Sequence, residues 1–348
     1  MGTVTERIAL VFSDQLSHAP AIPSHAPARP SRTSGIPSRT VERDEHLLLS
    51  PPHPSPFPIK LWRDHEPLGV VHFPVEYEAV PFAPPRGIYE SAQVRVEWQT
   101  MDNRQPFYHR NCDVDEISYQ IAGERTLMTE LGVVEHRPGE FSRLPRGVAH
   151  DNYGRRESHL LFYTPAPVQE ERAAIRQSEA VFPPFPGWEA GKTNEAVTQC
   201  MGAPGHDITV APVDELRLLR QVHADEERLQ VLTGADEPGL TWLYRGAGFR
   251  LGTVRLLPGG GRMYHRTLDA DEIQYQVSGH RTLVSQRGIV RLGPGDCVRI
   301  PLGIAHTSVC GEASRHIALF SDRELPQVAE TTRTAEPYTP ERLAALKP

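Results

Sequence analysis

The sequence predicts an all-β protein made of two tandem copies of one barrel-like unit, with a few short helices. The 33 prolines and 27 glycines among 348 residues are typical of short strands joined by tight turns. Ile117, Tyr119 and Ile121 alternate with polar residues, which is the period of a half-buried strand. Residues 108–150 recur as residues 264–306 at a constant offset of 156, with 22 of 43 positions identical. The repeat indicates a duplicated domain.

Composition excludes several classes of function. The formal net charge of −7 offers no basic surface for a nucleic acid, and no apolar run reaches the 18 residues of a membrane span. The four cysteines are Cys112, Cys200, Cys297 and Cys310, and no two of them form a CxxC pair. Such spacing argues against a disulfide scaffold or a thiolate zinc site. We therefore expect a cytoplasmic protein without nucleic-acid or membrane partners.

Changes in composition along the chain predict five segments. Residues 1–58 are rich in Pro, Ser and Arg and form a flexible arm, either on the surface or against a partner or pocket. The two barrels are expected at residues 59–165 and 205–325. A linker with a helix, residues 166–204, joins them, and residues 326–348 form a tail with a short helix.

Two local patterns place these helices. Residues 168–179 follow two prolines and contain good helix formers. Residues 340–347 begin with a proline after Thr339, a suitable N-cap residue.

Histidines and a glutamate recur at the same positions of both copies. In each copy the spacing reads His-x6-Glu-x6-Gly, followed by Gly-x5-Pro-x-Gly-x2-His. The candidate metal ligands are His109, Glu116 and His150 in the first copy and His265, Glu272 and His306 in the second. Two imidazoles and one carboxylate suit a divalent transition metal and leave adjacent coordination positions open, as in non-haem Fe(II) oxygenases.

The doubled spacing resembles the two motifs of the cupin superfamily over residues 90–163 and 246–320. This resemblance implies two tandem cupin jelly-roll barrels. Cupins usually carry another histidine two residues after the first ligand, where this chain has Asn111 and Thr267. Both copies therefore offer three protein ligands.

Residues 108–112, YHRNC, followed by Glu116-x6-Gly123 are similar to the iron-binding segment of the homogentisate 1,2-dioxygenase family. That family has one residue fewer between its first His and the Glu, and it has histidines where this chain has Glu124 and Leu144. The resemblance thus implies an iron-dependent ring-cleaving dioxygenase more strongly than it implies homogentisate as substrate.

The resemblance implies Fe(II) as cofactor, with Mn(II) and Zn(II) as alternatives, and a small hydroxylated aromatic substrate together with O2. The aromatic would be homogentisate-like or gentisate-like. Two other functions stay open: a metal-dependent decarboxylase or isomerase of a small acid or sugar, and a non-catalytic metal-binding cupin. The sequence also leaves open a homo-oligomer.

Further residues are candidates for the pocket. Tyr108, Asn111 and Tyr264 adjoin the first ligand of each copy, and Arg143 and Arg299 lie where a guanidinium could hold a substrate carboxylate. The first copy carries the family string and is the slightly favoured site of turnover.

Overall fold

A computed structural model describes residues 40–44, 66–79, 84–201, 209–261, 263–337 and 339–346. Most of the predicted N-terminal arm lies outside these residues. Both barrels belong to one compact unit, Ser34–Pro348. No helix in the described part of the chain is both long and apolar enough to span a bilayer.

Strands dominate, which confirms the all-β prediction. The elements up to the end of the first copy are β1 (Thr40–Asp44), β2 (Gly69–His72), β3 (Arg86–Glu90), β4 (Arg95–Met101), β5 (Phe107–Asn111), β6 (Asp115–Thr129), β7 (Gly132–His136), β8 (Phe141–Leu144) and β9 (His150–Thr164). The connecting region holds β10 (Gln169–Glu170), β11 (Arg176–Gln177), β12 (Lys192–Thr198), β13 (Thr209–Asp214), α1 (Glu215–Arg220), a 3₁₀ turn (Gln221–His223) and β14 (Gln230–Leu232). The second copy comprises β15 (Gly239–Gly246), β16 (Phe249–Leu256), β17 (Gly259–Gly260), β18 (Met263–Thr267), β19 (Asp271–Ser278), β20 (Arg281–Ser285), β21 (Gly288–Leu292), β22 (Asp296–Ile300), β23 (His306–Cys310) and β24 (Ser314–Ser321), followed by β25 (Arg333–Thr334) and α2 (Pro340–Ala345).

The second copy has the strand order of a jelly roll. One sheet contains β18-β23-β20-β21 and the other contains β16-β24-β19-β22, all paired antiparallel. In the first copy, β6 and β9 continue through both sheets, so that β5-β9-β6-β7 and β4-β9-β6-β8 share their central strands. The bend in β6 needs Gly123, whose φ is +68° and whose added Cβ would meet the Arg156 carbonyl oxygen at 2.1 Å.

The alternation along β6 separates two surfaces. Ile117 and Tyr119 lie in a core cluster that includes Tyr244 and Tyr275 of the second copy. Their polar neighbour Ser118 is buried inside the first barrel, where it accepts a hydrogen bond from Arg125. The apolar face therefore packs against the other barrel, and the interior of the barrel is polar.

Some strands join the sheet of the other copy. β1 and β2 pair with β18 and β22 of the second copy. Conversely, β12 pairs with β5, and β14 pairs with β8 of the first copy. The domain boundaries predicted from composition stay a prediction.

The helix predicted over residues 168–179 is wrong. Residues 166–201, the described part of the predicted linker, contain β10, β11 and β12 and no helix. The extended chain places Glu170 2.7 Å from Arg143 and pairs Arg176 with Glu140. These contacts with the first barrel outweigh the weak intrinsic preference for a helix.

The two α-helices lie elsewhere. In α1, the Asp214 side chain accepts a hydrogen bond from the backbone N–H of Arg217. The predicted C-terminal helix is present as α2, and the Thr339 hydroxyl accepts a hydrogen bond from the backbone N–H of Arg342.

Candidate metal sites

The first predicted ligand set comes together inside the first barrel. His109 on β5 is the direct cross-strand partner of His150 on β9, and their ring centroids are 3.9 Å apart. Glu116 on β6 completes the set, with its Oε2 3.6 Å from His150 Nε2. One ligand atom from each residue lies within 4.8 Å of the other two. This spacing suits one metal ion held by three side chains.

The second predicted set repeats this arrangement. His265 on β18 faces His306 on β23, with ring centroids 4.0 Å apart. Glu272 on β19 lies with Oε2 3.4 Å from His306 Nε2, and the three ligand atoms again fall within 4.8 Å. The duplication therefore preserves the geometry of the set as well as its spacing in sequence.

The hydrogen bonds of the histidines fit a metal ligand. His150 Nδ1 is 3.1 Å from the Val148 carbonyl oxygen, and His306 Nδ1 is 3.3 Å from that of Ile304. A carbonyl only accepts, so each Nδ1 carries the proton and each Nε2 has a free lone pair. Both Nε2 atoms are buried and have no hydrogen-bond partner among the described residues. A divalent ion bound between the three side chains would satisfy them.

The first site holds its ligands in the ionisation states that a metal requires. Burial, with the neighbouring His150, lowers the pKa of His109 to about 3. Burial alone would raise the pKa of Glu116, but the neighbouring imidazoles of His150 and His109 lower it to about 2. A neutral imidazole and an ionised carboxylate are the ligand forms of these groups.

The second site has the same property. His306, followed by burial, lowers the pKa of His265 to about 4. Burial opposes ionisation of Glu272, whereas His306 and His265 favour it and bring its pKa to about 2. Both sets are therefore ready to bind a cation near neutral pH.

The residues that orient the two glutamates differ. Asn111 donates from Nδ2 to Glu116 Oε2 at 2.9 Å. The side-chain oxygen Oδ1 of Asn111 accepts hydrogen bonds from Thr198 Oγ1 at 2.9 Å and from Cys200 Sγ at 3.1 Å. In the second site Gln274, two residues along the same strand, donates to Glu272 Oε1 at 2.7 Å.

A cavity of about 210 Å³ adjoins the first set. His109 and Glu116 form part of its wall. Other residues that line it are Gln105, Phe107, Asn152, His159, Leu161, Tyr163 and Cys200. Most of the surface exposed to the cavity is apolar, although many of the lining residues carry polar groups, as is usual for the binding site of a small molecule.

The two tyrosines predicted to reach the pockets do not. Tyr108 donates from its hydroxyl to Glu215 Oε1 of α1 at 2.9 Å and packs against Leu218 and Leu219. Tyr264 packs in a separate cluster with Val284 and Ile289. Each tyrosine directly precedes a ligand histidine in its strand, so that its side chain points to the opposite face of the sheet.

The two arginines predicted to hold a carboxylate are engaged elsewhere. Arg143 Nε is 2.7 Å from Glu170 Oε1, and its Nη1 lies 3.1 Å from Asp115. Arg299 pairs with Asp271 and with the exposed Glu324. These ion pairs fix the connections around the barrels. Both guanidinium groups are therefore already engaged and do not have the predicted role of holding a substrate carboxylate.

Several residues that line the cavity were not singled out from the sequence, among them Cys200 and His159. Cys200 follows β12, outside the repeated segment, and burial raises the pKa of its thiol above the usual range. His159 is fully buried in β9. Its counterpart is His316, because Gln120 pairs with His159 and Gln276 pairs with His316. In the sequence this correspondence is visible only as the similar segments HLLF (residues 159–162) and HIAL (residues 316–319). Their offset is 157, one more than the offset of the ungapped repeat.

Comparisons with known proteins find only distant structural similarity. No protein-family model matches the chain, and no curated protein matches it in sequence. Similar solved structures include a cupin 2 conserved barrel domain protein from Leptotrichia buccalis, with 8% identity, a TM-score of 0.43, and coverage of 70% of this chain and 92% of that one. A Bacillus subtilis oxalate decarboxylase variant has 11% identity and a TM-score of 0.43, with coverage of 77% of this chain and 80% of that one.

AerE from Microcystis aeruginosa is also similar, with 10% identity and a TM-score of 0.39, over 68% of this chain and 96% of that one. Likeness at this level of identity concerns the fold alone. The resemblance to the homogentisate dioxygenase family stays a prediction. The strand order and the duplicated ligand sets describe two tandem jelly-roll barrels, each with one candidate metal site.

Proposed function

We propose that the chain is a metal-dependent enzyme whose first barrel converts a small hydroxylated molecule. The observation that carries this proposal is the position of His109, Glu116 and His150 beside a cavity of about 210 Å³. Three protein ligands leave coordination positions free for a substrate oxygen, and the cavity provides room for that substrate next to them.

Within this class, the finer proposal is an Fe(II)-dependent dioxygenase that cleaves a hydroxylated aromatic ring. Phe107, Leu161 and Tyr163 supply flat or apolar surfaces in the cavity, which suit a single ring. Iron(II), when bound, would supply adjacent positions for a phenolic oxygen and O2 and a route for electrons between them.

The protein's own groups prepare this chemistry. The Val148 carbonyl fixes the tautomer of His150, and the amide of Asn111 holds one oxygen of Glu116. His150 and Glu116 are almost completely buried, so that little water competes for the free coordination positions. Thr198 and Cys200 bring the end of β12 against this amide and form part of the cavity wall.

A second candidate is a Mn(II)-dependent decarboxylase or isomerase of a small acid or sugar. The amide side chains of Gln99, Gln105 and Asn152 also line the cavity, and amides suit a substrate rich in oxygen atoms. The Bacillus subtilis oxalate decarboxylase is, by its name, an enzyme of this class. Its likeness to this chain concerns only the fold.

Metal loading and gas analysis separate the two candidates. The protein would be loaded anaerobically with Fe(II), Mn(II) or Zn(II), and then screened for O2 uptake with monocyclic phenols and for CO2 release with small acids. We expect O2 uptake and a ring-opened product with the Fe(II) form, and neither with Glu116→Gln. CO2 release by the Mn(II) form without O2 uptake would establish the second candidate instead. Absence of bound metal after loading would refute both.

A further inference from the structure

A cluster of buried polar side chains lies inside the first barrel and contains none of the metal ligands. It consists of Gln120, Arg125, Glu157 and His159, and we call it the His159 cluster. Glu157 Oε2 is 3.6 Å from Arg125 Nε and 3.6 Å from His159 Nδ1. Gln120 Nε2 donates to the same oxygen at 3.3 Å. All four side chains are essentially inaccessible to bulk solvent, apart from the cavity that His159 lines.

His159 lacks the hydrogen bonds that a buried histidine needs. Neither ring nitrogen has a hydrogen-bond partner among the described residues. An unpaired buried polar atom is costly, and most such atoms in folded proteins find a partner. His159 lines the same cavity as His109 and Glu116. A molecule in this cavity can therefore supply the missing partner while it contacts the metal ligands.

The surroundings of His159 decide which kind of partner it needs. Burial raises the pKa of Glu157, but the neighbouring His159, the Arg125 guanidinium and the hydrogen bond from Gln120 outweigh burial and lower it, so Glu157 is ionised. A carboxylate only accepts hydrogen bonds, so the facing Nδ1 of His159 carries a proton. With the proton on Nδ1, the lone pair of the neutral imidazole lies on Nε2, and this nitrogen is left to pair with a molecule in the cavity.

We propose that His159 Nε2 accepts a hydrogen bond from a hydroxyl group of the substrate, with Glu157 as the residue that positions the ring. The first barrel then selects a molecule that has a metal-binding oxygen at one end and a hydroxyl at the other. A second carboxylate at that position is rejected, because it has no proton to donate to Nε2. This inference rests on the proposed function and sharpens its substrate class.

The second barrel provides a natural control. His316 occupies the position that corresponds to His159, and its Nδ1 also lacks a partner among the described residues. The residue that corresponds to Glu157 is Ser314, whose hydroxyl accepts a hydrogen bond from Gln276. Among the described residues, His316 thus has a serine where His159 has the carboxylate of Glu157.

Binding measurements on the zinc-loaded protein test the inference, because Zn(II) does not support oxidation and leaves the ligand unchanged. Calorimetry would compare the three monohydroxybenzoates with their methyl ethers, which keep the carboxylate but lack the hydroxyl proton. We expect wild type to bind the best hydroxybenzoate about tenfold more tightly than its ether, as one buried hydrogen bond provides. This preference should fall to about one in His159→Phe and survive in part in His159→Gln, which keeps an acceptor.

The matched variant His316→Phe should keep the tenfold preference, and Glu157→Gln should reduce it while leaving bound zinc unchanged. A preference that persists in both His159→Phe and Glu157→Gln would overturn the inference, as would a wild type that binds hydroxybenzoate and ether equally. Failure of the zinc-loaded wild type to bind any of these benzoates would instead refute the hydroxylated aromatic ring as the substrate class of the proposed function. The two failures are thus distinguishable.

Discussion

The two barrels carry the same three ligands at the same spacing and differ in the residues that hold the glutamate. In the first barrel Asn111 bonds to Glu116 and is itself held by Thr198 and Cys200. In the second barrel the neighbouring Gln274 bonds to Glu272. The duplicated segment thus supplies both ligand sets. A strand from outside that segment pairs with the strand of each first ligand, β12 with β5 and β1 with β18, and side chains at and just after the end of β12 hold Asn111 in the first barrel. Side chains of the connecting region therefore distinguish the first metal site from the second.

The interiors of the barrels differ in charge as well. The buried Arg125 of the first barrel lies near the carboxylate of Glu157. Its counterpart Arg281 donates to the neutral side chains of Gln274, Gln276 and Ser308, and burial lowers its pKa to about 10. A polar substrate in the first barrel therefore meets an interior whose charges are paired.

The largest expected effect comes from removing one ligand charge in each barrel. Glu116→Gln should lose one equivalent of metal and lower turnover by more than about 100-fold, beyond the usual effect of residues that only orient ligands. Glu272→Gln should lose the other equivalent and keep turnover. Metal analysis and O2 consumption measure both. If only Glu272→Gln lost turnover, the second barrel would be the site of catalysis.

An exchange of the residues beside the first ligand sharpens the comparison. Asn111→Thr introduces the residue that the second barrel has at this position, and it should weaken metal binding in the first barrel by about 10- to 100-fold. The reciprocal Thr267→Asn should change the second site little, because Gln274 already holds Glu272 there. Titration against a competing chelator gives both affinities. Equal effects of the two exchanges would show that the brace from β12 is irrelevant.

The tyrosine beside the first ligand should matter for stability and not for turnover. Tyr108→Phe removes one of the hydrogen bonds to the buried Glu215, which Trp188 and Arg104 also contact. We expect a loss of about 1 kcal/mol in the free energy of unfolding, with turnover per bound metal unchanged. Urea unfolding measures the loss of stability, and steady-state kinetics measure turnover per bound metal. If Tyr108→Phe had normal stability but impaired turnover, Tyr108 would have a role in the reaction, contrary to this prediction.

The smallest effect concerns pH and the metal-free protein. His109 has a pKa of about 3 when folded against 6.5 in the unfolded chain, so only the unfolded chain takes up a proton as pH falls below 6.5. Stability should therefore decline from pH 6.5 toward pH 3, by at most about 1.4 kcal/mol per pH unit from this group.

Glu116, with a folded pKa of about 2 against 4.5 unfolded, stabilises the protein above pH 4.5 and loses that contribution as pH falls toward 2. Between pH 6.5 and 5 the slope should thus come from His109 more than from Glu116. Urea midpoints of metal-free wild type and His109→Asn would show this as a flatter profile in the variant. Parallel profiles would contradict the assigned pKa of His109.

The repeat made much of the fold predictable. A constant offset with alternating strands indicates a duplicated barrel, and the described strands repeat in the same order in both copies. The helix over residues 168–179 could not be excluded, since Glu170 and Arg176 find their partners only on the folded barrels. Local propensity cannot register such contacts.

The site was predictable only in part. The spacing identified His109 and its partners because both copies retain them. The alternation of side chains along a strand also places Tyr108 on the face opposite His109, but that needs β5 to be known as a strand over both residues. His159 was missed since one inserted residue breaks the register after the last ligand. Cys200 carries no repeat signal, because it comes from outside the duplicated segment.

The central claim is that each barrel holds one metal ion between two histidines and a glutamate. The most direct test is a crystal of protein loaded anaerobically with Fe(II), measured on both sides of the iron absorption edge. The account predicts two anomalous peaks, one among His109, Glu116 and His150 and one among His265, Glu272 and His306. Absence of a peak at the first set, with iron present in the crystal, would contradict it.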